Sequence, residues 1–284
     1  MQILTLKDFD DYELIDSGDG MRLERFGKYV VSKPDPQAIW EKKAPLSMWQ
    51  RADAVFQNGK WQLKKDIKQP WVVEFENLKL LARLTPFKHV GLFPEQAIFW
   101  KMASEFIISS KFNRPKILNL FGYTGGASIS CAKAGAFVTH VDASKPSITY
   151  AKENMLASGL PENSIRWIID DAIKFTAREI KRGNFYDGII LDPPVYGHGP
   201  QGEPWDFYKN IVELLANCKK ILSKNPIFII FNAYAISSSS IMLHNLLSDL
   251  TNDFGGKINY GELVLQESFS KRLLSTGIYS YWAK

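Results

Sequence analysis

From about residue 94 onward, helix-period segments alternate with short, almost wholly apolar runs, and that alternation constrains the fold more than any other feature of the sequence. EQAIFWKMASEFIISS has apolar residues at helical spacing and leads into KILNLF. ASISCAKAG then precedes VTHVD, PSITYAKENMLASG precedes IRWII, AIKFTAREIKRG precedes YDGIILD, and DFYKNIVELLANCKKIL precedes PIFIIFN. Strands separated by helices of this length are joined by right-handed parallel crossovers, and strands this apolar need cover on both faces. The expectation is an α/β domain over residues 94–284: a doubly wound, mostly parallel, seven-stranded sheet, with KINYGELVL and GIYSYWAK as closing strands. Residues 1–93 read differently. YELI, MRLERF, KYVV, WVVEF and LKLLARL are short strand-like segments punctuated by Ser-Gly-Asp-Gly and by Gly27, which predicts a small β-rich N-terminal domain. Between Pro34 and Gln69 the sequence reads as an irregular connection in which Trp40, Trp49 and Trp61 act as packing anchors, with a base-stacking surface as the alternative.

In an open parallel sheet a ligand lies outside the carboxyl ends of the strands, so the residue types found there matter most. The first strand ends in NLFGYTGG, where Gly122, Gly125 and Gly126 permit a tight turn and close backbone approach to a ligand. A tight strand-to-helix connection explains the same glycines. The second strand ends in Asp142, about 20 residues beyond the loop, where a carboxylate can accept both hydroxyls of a ribose. That spacing suits NAD and S-adenosylmethionine alike. The loop has no GxGxxG pattern, however, and Tyr123 and Thr124 stand where a pyrophosphate needs bare backbone, so a dinucleotide is disfavoured. After the third strand come Asp170, Asp171 and Ala172; Asp171 can read the adenine edge or cap the following helix, roles that are compatible. The fourth strand ends in LDPPVYG. Its two prolines fix a rigid edge with no backbone donors, Asp192 can orient a substrate or the cofactor's amino group, and Tyr196 offers an aromatic face to a planar acceptor. His198 lies in the following loop, either solvated or able to take a proton.

Composition bounds the rest. A net charge of +5, from 35 basic and 30 acidic residues, is compatible with a polyanionic partner without requiring one. The two cysteines, Cys131 and Cys218, have neither disulfide-framework nor metal-type spacing. No membrane-length apolar run or signal-type N-terminus is present, so a cytoplasmic protein without a metal or a membrane anchor is expected.

The segments PFKHVGLFPEQ, LNLFGYTGGASISCAKAGA, VDASKPSITYAKENMLASGL, DDA at Asp170 and LDPPVYG together resemble the class I S-adenosylmethionine-dependent methyltransferases. Within these they resemble the branch related to bacterial 23S rRNA large-subunit methyltransferase I. The resemblance covers roughly residues 86–235; the RNA-binding PUA domain of better-studied relatives is not recognisable. It implies a Rossmann-like fold, S-adenosyl-L-methionine as cofactor and ribosomal RNA as partner. It also implies that Gly122, Thr124 and Gly125 surround the methionine part, Asp142 binds the ribose, Ala143 borders the adenine, and Asp171 with Ala172 reads its edge. Phe93 to Gln96 would close over the cofactor, and Asn154 has a counterpart near the site, although it reads equally as a helix-surface polar residue. Asp192 and Pro193 count among the cofactor contacts, and Asp192 with the free backbone carbonyls of Pro193 and Pro194 is expected to hold the acceptor while Tyr196 stacks on it, which makes Asp192 and Tyr196 the catalytic candidates.

Methylation of a pyrimidine at carbon 5 needs a thiolate that adds to the ring. Relatives that modify cytosine place a cysteine shortly after the fifth strand, yet FIIFNAYAISSSS contains none, and Val195 follows Pro194 where others carry one. Cys131 and Cys218 read as small packed hydrophobes. Transfer to a nitrogen of an RNA base is therefore expected, through in-line placement and help with a proton. The alternatives are a protein or small-molecule acceptor and a cofactor-binding module without catalysis.

Overall fold

The computed structural model describes residues 1–6, 9–234 and 236–284; Ala235, within the cysteine-free Phe228–Ser240 stretch, lies outside them. In chain order the elements are β1 (Gln2–Thr5), β2 (Tyr12–Gly18), β3 (Met21–Phe26), β4 (Tyr29–Pro34), α1 (Leu46–Gln50), β5 (Ala54–Gln57), β6 (Lys60–Leu63), β7 (Trp71–Phe75) and β8 (Leu78–Ala82). They continue with α2 (Ala97–Ser109), β9 (Lys116–Leu120), α3 (Gly126–Lys133), β10 (Phe137–Asp142), α4 (Lys145–Ala157), β11 (Ile165–Ile169), α5 (Ala172–Arg182) and β12 (Gly188–Leu191). The last are β13 (Tyr196–His198), β14 (Pro204–Asp206), α6 (Phe207–Ile221), β15 (Phe228–Ala233), α7 (Ser240–Thr251), β16 (Lys257–Gln266) and β17 (Leu273–Ala283).

Contacts divide the chain into two units. One comprises Met1–Leu4, Ile98–Leu263 and Gly277–Lys284, the other Thr5–Ala97 and Val264–Thr276. The division therefore differs from a single cut after residue 93: four N-terminal residues join the large unit, and the far ends of β16 and β17 join the N-terminal one. No motif in the sequence announces either exchange.

The large unit is built on a sheet of order β1-β16-β17-β15-β12-β9-β10-β11. Strands β15, β12, β9, β10 and β11 are parallel, and β17 returns antiparallel to β15. The sheet thus has eight strands rather than seven, because β1 adds an edge strand beside β16. It lies so near that a side chain at Gly261 would strike the backbone of Gln2, and the short QILT segment carries no alternating pattern that would mark it as a strand. Every residue of β12 and β15 is buried, as two-sided helical cover requires. On the helical side Phe175, Ile211, Leu214, Leu215, Leu243 and Leu247 pack against Leu118, Leu191, Ile229 and Phe231 in one core. Burying each such side chain stabilises the fold by about 1.5–3 kcal/mol. Cys218 belongs to this core and Cys131 is buried on α3, and burial pushes both thiols up to about 12.

The N-terminal unit holds a five-stranded sheet, β2-β3-β4-β5-β6, and the separate hairpin β7-β8. The stretch from Pro34 to Gln69, expected to be irregular, supplies α1, β5 and β6. Its tryptophans are anchored: the indole N–H of Trp40 donates to the Ser17 carbonyl at 3.0 Å, that of Trp49 to Asp16 at 3.0 Å and that of Trp61 to the Thr85 carbonyl at 2.8 Å. Lys60 and Gln62 are exposed while Trp61 is half-buried, so the hairpin's alternation is weak, and this hid it among polar residues.

A charged network is buried in this unit. Glu24 meets Arg22 at 3.2 Å and Lys33 at 2.8 Å, and Tyr12 donates to Glu24 at 2.9 Å. Arg22 also lies 3.6 Å from Asp35. Burial pushes the Glu24 carboxyl up, but Arg22 and Lys33 outweigh it and hold the group below its ordinary value. Burial raises Glu95 in the same unit despite Arg22. It also lowers His89 to about 4, with Lys33 adding to the effect.

Candidate cofactor and acceptor site

Because β9, β10, β11 and β12 run parallel in register, their carboxyl ends share one edge of the large unit's sheet. Leu120 pairs with Val141 and Leu191, and Asp142 with Ile169. Gly122, Asp142, Asp170 and Asp192 all follow from these ends, so the residues singled out from the sequence converge through strand register alone.

The loop after β9 is held from beneath and from one side. Phe121 and Tyr123 have φ of 56° and 48°, in the left-handed region that non-glycine residues adopt only under local constraint. Gly122 sits over the His140 ring, where a Cβ would come within 2.4 Å of it. The Gly122 N–H donates to the Val141 carbonyl at 3.1 Å and that of Gly125 to Gly122 at 3.0 Å. Gly125, with φ of 88°, starts α3 and lies against Ala151. Asn154 is buried rather than on the helix surface, and its side-chain amide donates to the Thr124 carbonyl at 2.8 Å. It holds the loop in place.

Below the loop runs a buried polar chain that sequence reasoning passed over. Asn119 donates to Ser128 Oγ at 2.9 Å, and Ser128 Oγ lies 2.9 Å from His140 Nδ1. Burial lowers His140 to about 3, so the imidazole is neutral at physiological pH. The signal was available: Asn119 and His140 interrupt otherwise apolar strands.

Asp142 Oδ2 accepts the Tyr123 N–H and Oδ1 the Ser144 N–H, each at 2.8 Å. Burial pushes this carboxyl above its ordinary value, against the pull of those two donors. An ionised carboxylate has about four acceptor positions. Two are taken by backbone, and each oxygen keeps capacity for one hydroxyl, which fits a vicinal diol. Ala143 follows directly. Asp171 caps α5, accepting the Lys174 N–H at 2.9 Å, and Asp170 pairs with Arg178. Ala172 is buried at the first turn of that helix.

Asp192 is half-buried and Pro193 buried after β12. The Pro194 carbonyl accepts the Trp205 indole N–H at 2.7 Å, so it is not wholly free as expected and keeps one of its two lone pairs. The following segment is no simple loop. Tyr196–His198 pairs with Pro204–Asp206 as the hairpin β13-β14, and Lys174 on α5 meets Glu203 at 2.5 Å. The hairpin carries Tyr196 with 71% of its surface exposed. His198 is exposed on the same strand. Phe93 and Gln96 fall in the N-terminal unit, at the 3₁₀ turn Pro94–Gln96. Among the described residues, no cluster of His, Cys, Asp or Glu could hold a metal ion, and no helix is long and apolar enough to cross a membrane.

Comparison with known proteins gives this edge a context. A crystal structure of a SAM-dependent methyltransferase from Agrobacterium tumefaciens is 40% identical, covering all of this chain and 93% of that one, with a TM-score of 0.96. A methyltransferase structure from Streptococcus mutans, at 17% identity and a TM-score of 0.71 over 98% of this chain and 76% of that one, shares the fold. Curated relatives named ribosomal RNA large subunit methyltransferase K/L match in part: 31% identity over 163 residues for Shewanella frigidimarina and 33% over 141 residues for Shewanella amazonensis. These matches cover 57% and 49% of this chain but only 22% and 19% of those relatives. No family model matches the chain.

Proposed function

Because the chain belongs to the S-adenosylmethionine-dependent methyltransferases, we propose that it transfers the methyl group to a nitrogen of a nucleobase in ribosomal RNA. The observation that carries the choice of nitrogen is the state of the thiols. Both cysteines are buried and held protonated, so neither supplies the nucleophile that carbon-5 methylation of a pyrimidine requires. The names of the partial relatives support ribosomal RNA as the acceptor class.

The cofactor supplies an activated sulfonium methyl group, and what the chain adds is placement. In this proposal Asp142 would accept the ribose hydroxyls, Asp171 and Ala172 would border the adenine, and Gly122, Thr124 and Gly125 would surround the methionine part. Asp192 would accept a hydrogen bond from the acceptor's amino group, orienting its nitrogen, and would take up the proton which that nitrogen sheds on gaining the methyl group, with S-adenosylhomocysteine as the other product. The Pro193 carbonyl accepts a second, and Tyr196 covers the base. Fixing nucleophile and methyl group in line replaces an improbable encounter with a preformed one.

The test is incubation with radiolabelled S-adenosylmethionine and ribosomal RNA from a strain lacking the gene, followed by mapping of the modified base. Label on a base nitrogen is the expected result. Label in protein alone would overturn the RNA acceptor, and label on a carbon would overturn the nitrogen.

A further inference from the structure

The N-terminal unit has a cavity of about 380 Å³ that the methyl-transfer site does not use. It is lined by the apolar side chains of Leu46, Val55 and Phe56, by the amides of Gln50, Gln57 and Asn58, and by Lys42 and Lys64. That volume lies in the range of small-ligand pockets.

Charge around it is one-sided. Between Lys42 and Lys68 the chain carries seven basic residues against two acidic ones, Asp53 and Asp66. Asp53 is buried and its carboxylate is already met by Lys65 at 2.6 Å. Lys43, Arg51 and Lys60, each within two residues of a lining residue, are exposed. Lys42 lies 4.4 Å from the centroid of the Trp49 ring, which keeps its ammonium at the cavity wall, and 3.6 Å from the exposed carboxylate of Asp19, a solvated pair that a phosphate can displace.

An apolar wall that includes an aromatic ring, amides able to read a base edge, and ammonium groups outside form the combination that single-stranded nucleic acid requires. We propose that this cavity receives one unpaired base of a single-stranded RNA segment while Lys42 and Lys64 contact its flanking phosphates. The inference rests on the RNA reading of the methyl-transfer site and adds a second, non-catalytic contact to it. Asn58, at the tip of the β5-β6 hairpin with φ of 51°, would meet the base edge.

The experiment measures binding of a fluorescein-labelled single-stranded RNA 12-mer to the full chain by anisotropy, from low to moderate salt. Lys42→Gln with Lys64→Gln should weaken binding at least tenfold and make the log-log salt slope shallower by about 1.4, since each phosphate contact on a single strand contributes roughly 0.7. Phe56→Ala should weaken binding about tenfold with the slope unchanged, as loss of one stacked base does. Asn58→Gly, which keeps the turn geometry, should reduce discrimination among sequences. Circular dichroism and thermal melting check that each variant is folded. If the lysine pair matters but Phe56→Ala and Asn58→Gly bind as wild type, the site is a generic polyanion patch and the base-receiving proposal fails. If RNA is methylated while every cavity variant binds and reacts as wild type, the cavity is wrong and the acceptor class stands. If wild type labels no RNA, the acceptor class is what has failed.

Discussion

The two sheets of this protein handle polarity in opposite ways. In the parallel sheet the strand interiors are apolar, with β12 reading Gly-Ile-Ile-Leu and all buried, while carboxylates gather just beyond the carboxyl ends. In the N-terminal sheet the charges run through the strand itself: Arg22 and Glu24 sit in the middle of β3 and, with Lys33 on β4, are buried. The first arrangement leaves charge with unspent acceptor capacity, as at Asp142. The second satisfies charge internally. Buried ion networks are weak contributors to net stability but costly to break, so the contrast separates residues kept for ligands from residues kept for structure.

The strongest way to break this contrast is Glu24→Ala, which leaves Arg22 and Lys33 buried without the carboxylate that both of them meet. A loss of about 3–5 kcal/mol is expected in chemical denaturation, with the affinity for S-adenosylhomocysteine at the other unit's site unchanged where the protein is still folded. An equal loss of affinity would remove the distinction.

Next in size is Asp142→Ala. Its two backbone donors lose their partner, but the principal effect should fall on the ligand: calorimetry with S-adenosylhomocysteine should show about 1.5–3 kcal/mol less favourable binding, the worth of hydrogen bonds to a charged acceptor. Unchanged affinity would remove the ribose contact.

Third, each unit contains a histidine with a depressed pKa, the buried His140 at about 3 and the half-buried His89 at about 4. The unfolded chain binds their protons at about 6.5, so it holds more protons than the native state once pH falls below that value. Each histidine therefore removes roughly 1.4 kcal/mol of stability per unit of acidification, starting near 6.5 and ending near 4 for His89 and near 3 for His140. Melting curves from pH 7 to 5 should show His140→Phe losing stability less steeply than wild type. Parallel curves would mean that the ring is not held neutral.

The smallest expected effect is Trp205→Phe, which removes the indole donor from the Pro194 carbonyl. About 0.5–1.5 kcal/mol should be lost, with looser placement of the hairpin that carries Tyr196 read as a raised KM for the acceptor.

How much of this was legible in the sequence followed the same contrast. The parallel strands could be read, and register converts their one-dimensional pattern into a shared edge: Gly122, Asp142, Asp170 and Asp192 each stand directly after an apolar run. Asn154 could not be assigned, since its helix carries no sharp polar face, and only tertiary packing shows its amide beneath Thr124. The β13-β14 hairpin was hidden by prolines and glycines that signal a loop. In the N-terminal unit β5 and β6 are short and mostly polar, and the charged residues of β3 and β4 gave no sign of burial, because their neutralisation depends on partners in other strands. The edge strand β1 was invisible for the same reason, its partner β16 lying more than 250 residues away.

That long-range partnership has a consequence for how the protein is made. The N-terminal unit requires Val264–Thr276, and within it Ser17 donates to Glu267, 250 residues further on; Ser268 and Phe269 donate to Leu14 and Ile15. A ribosome that releases residues in order therefore delivers Thr5–Ala97 well before Val264–Thr276. Thr5–Ala97 is completed only when that later segment arrives, and until then the carbonyls of Leu14 and Ile15 lack those donors, an interval in which a chaperone has something to hold.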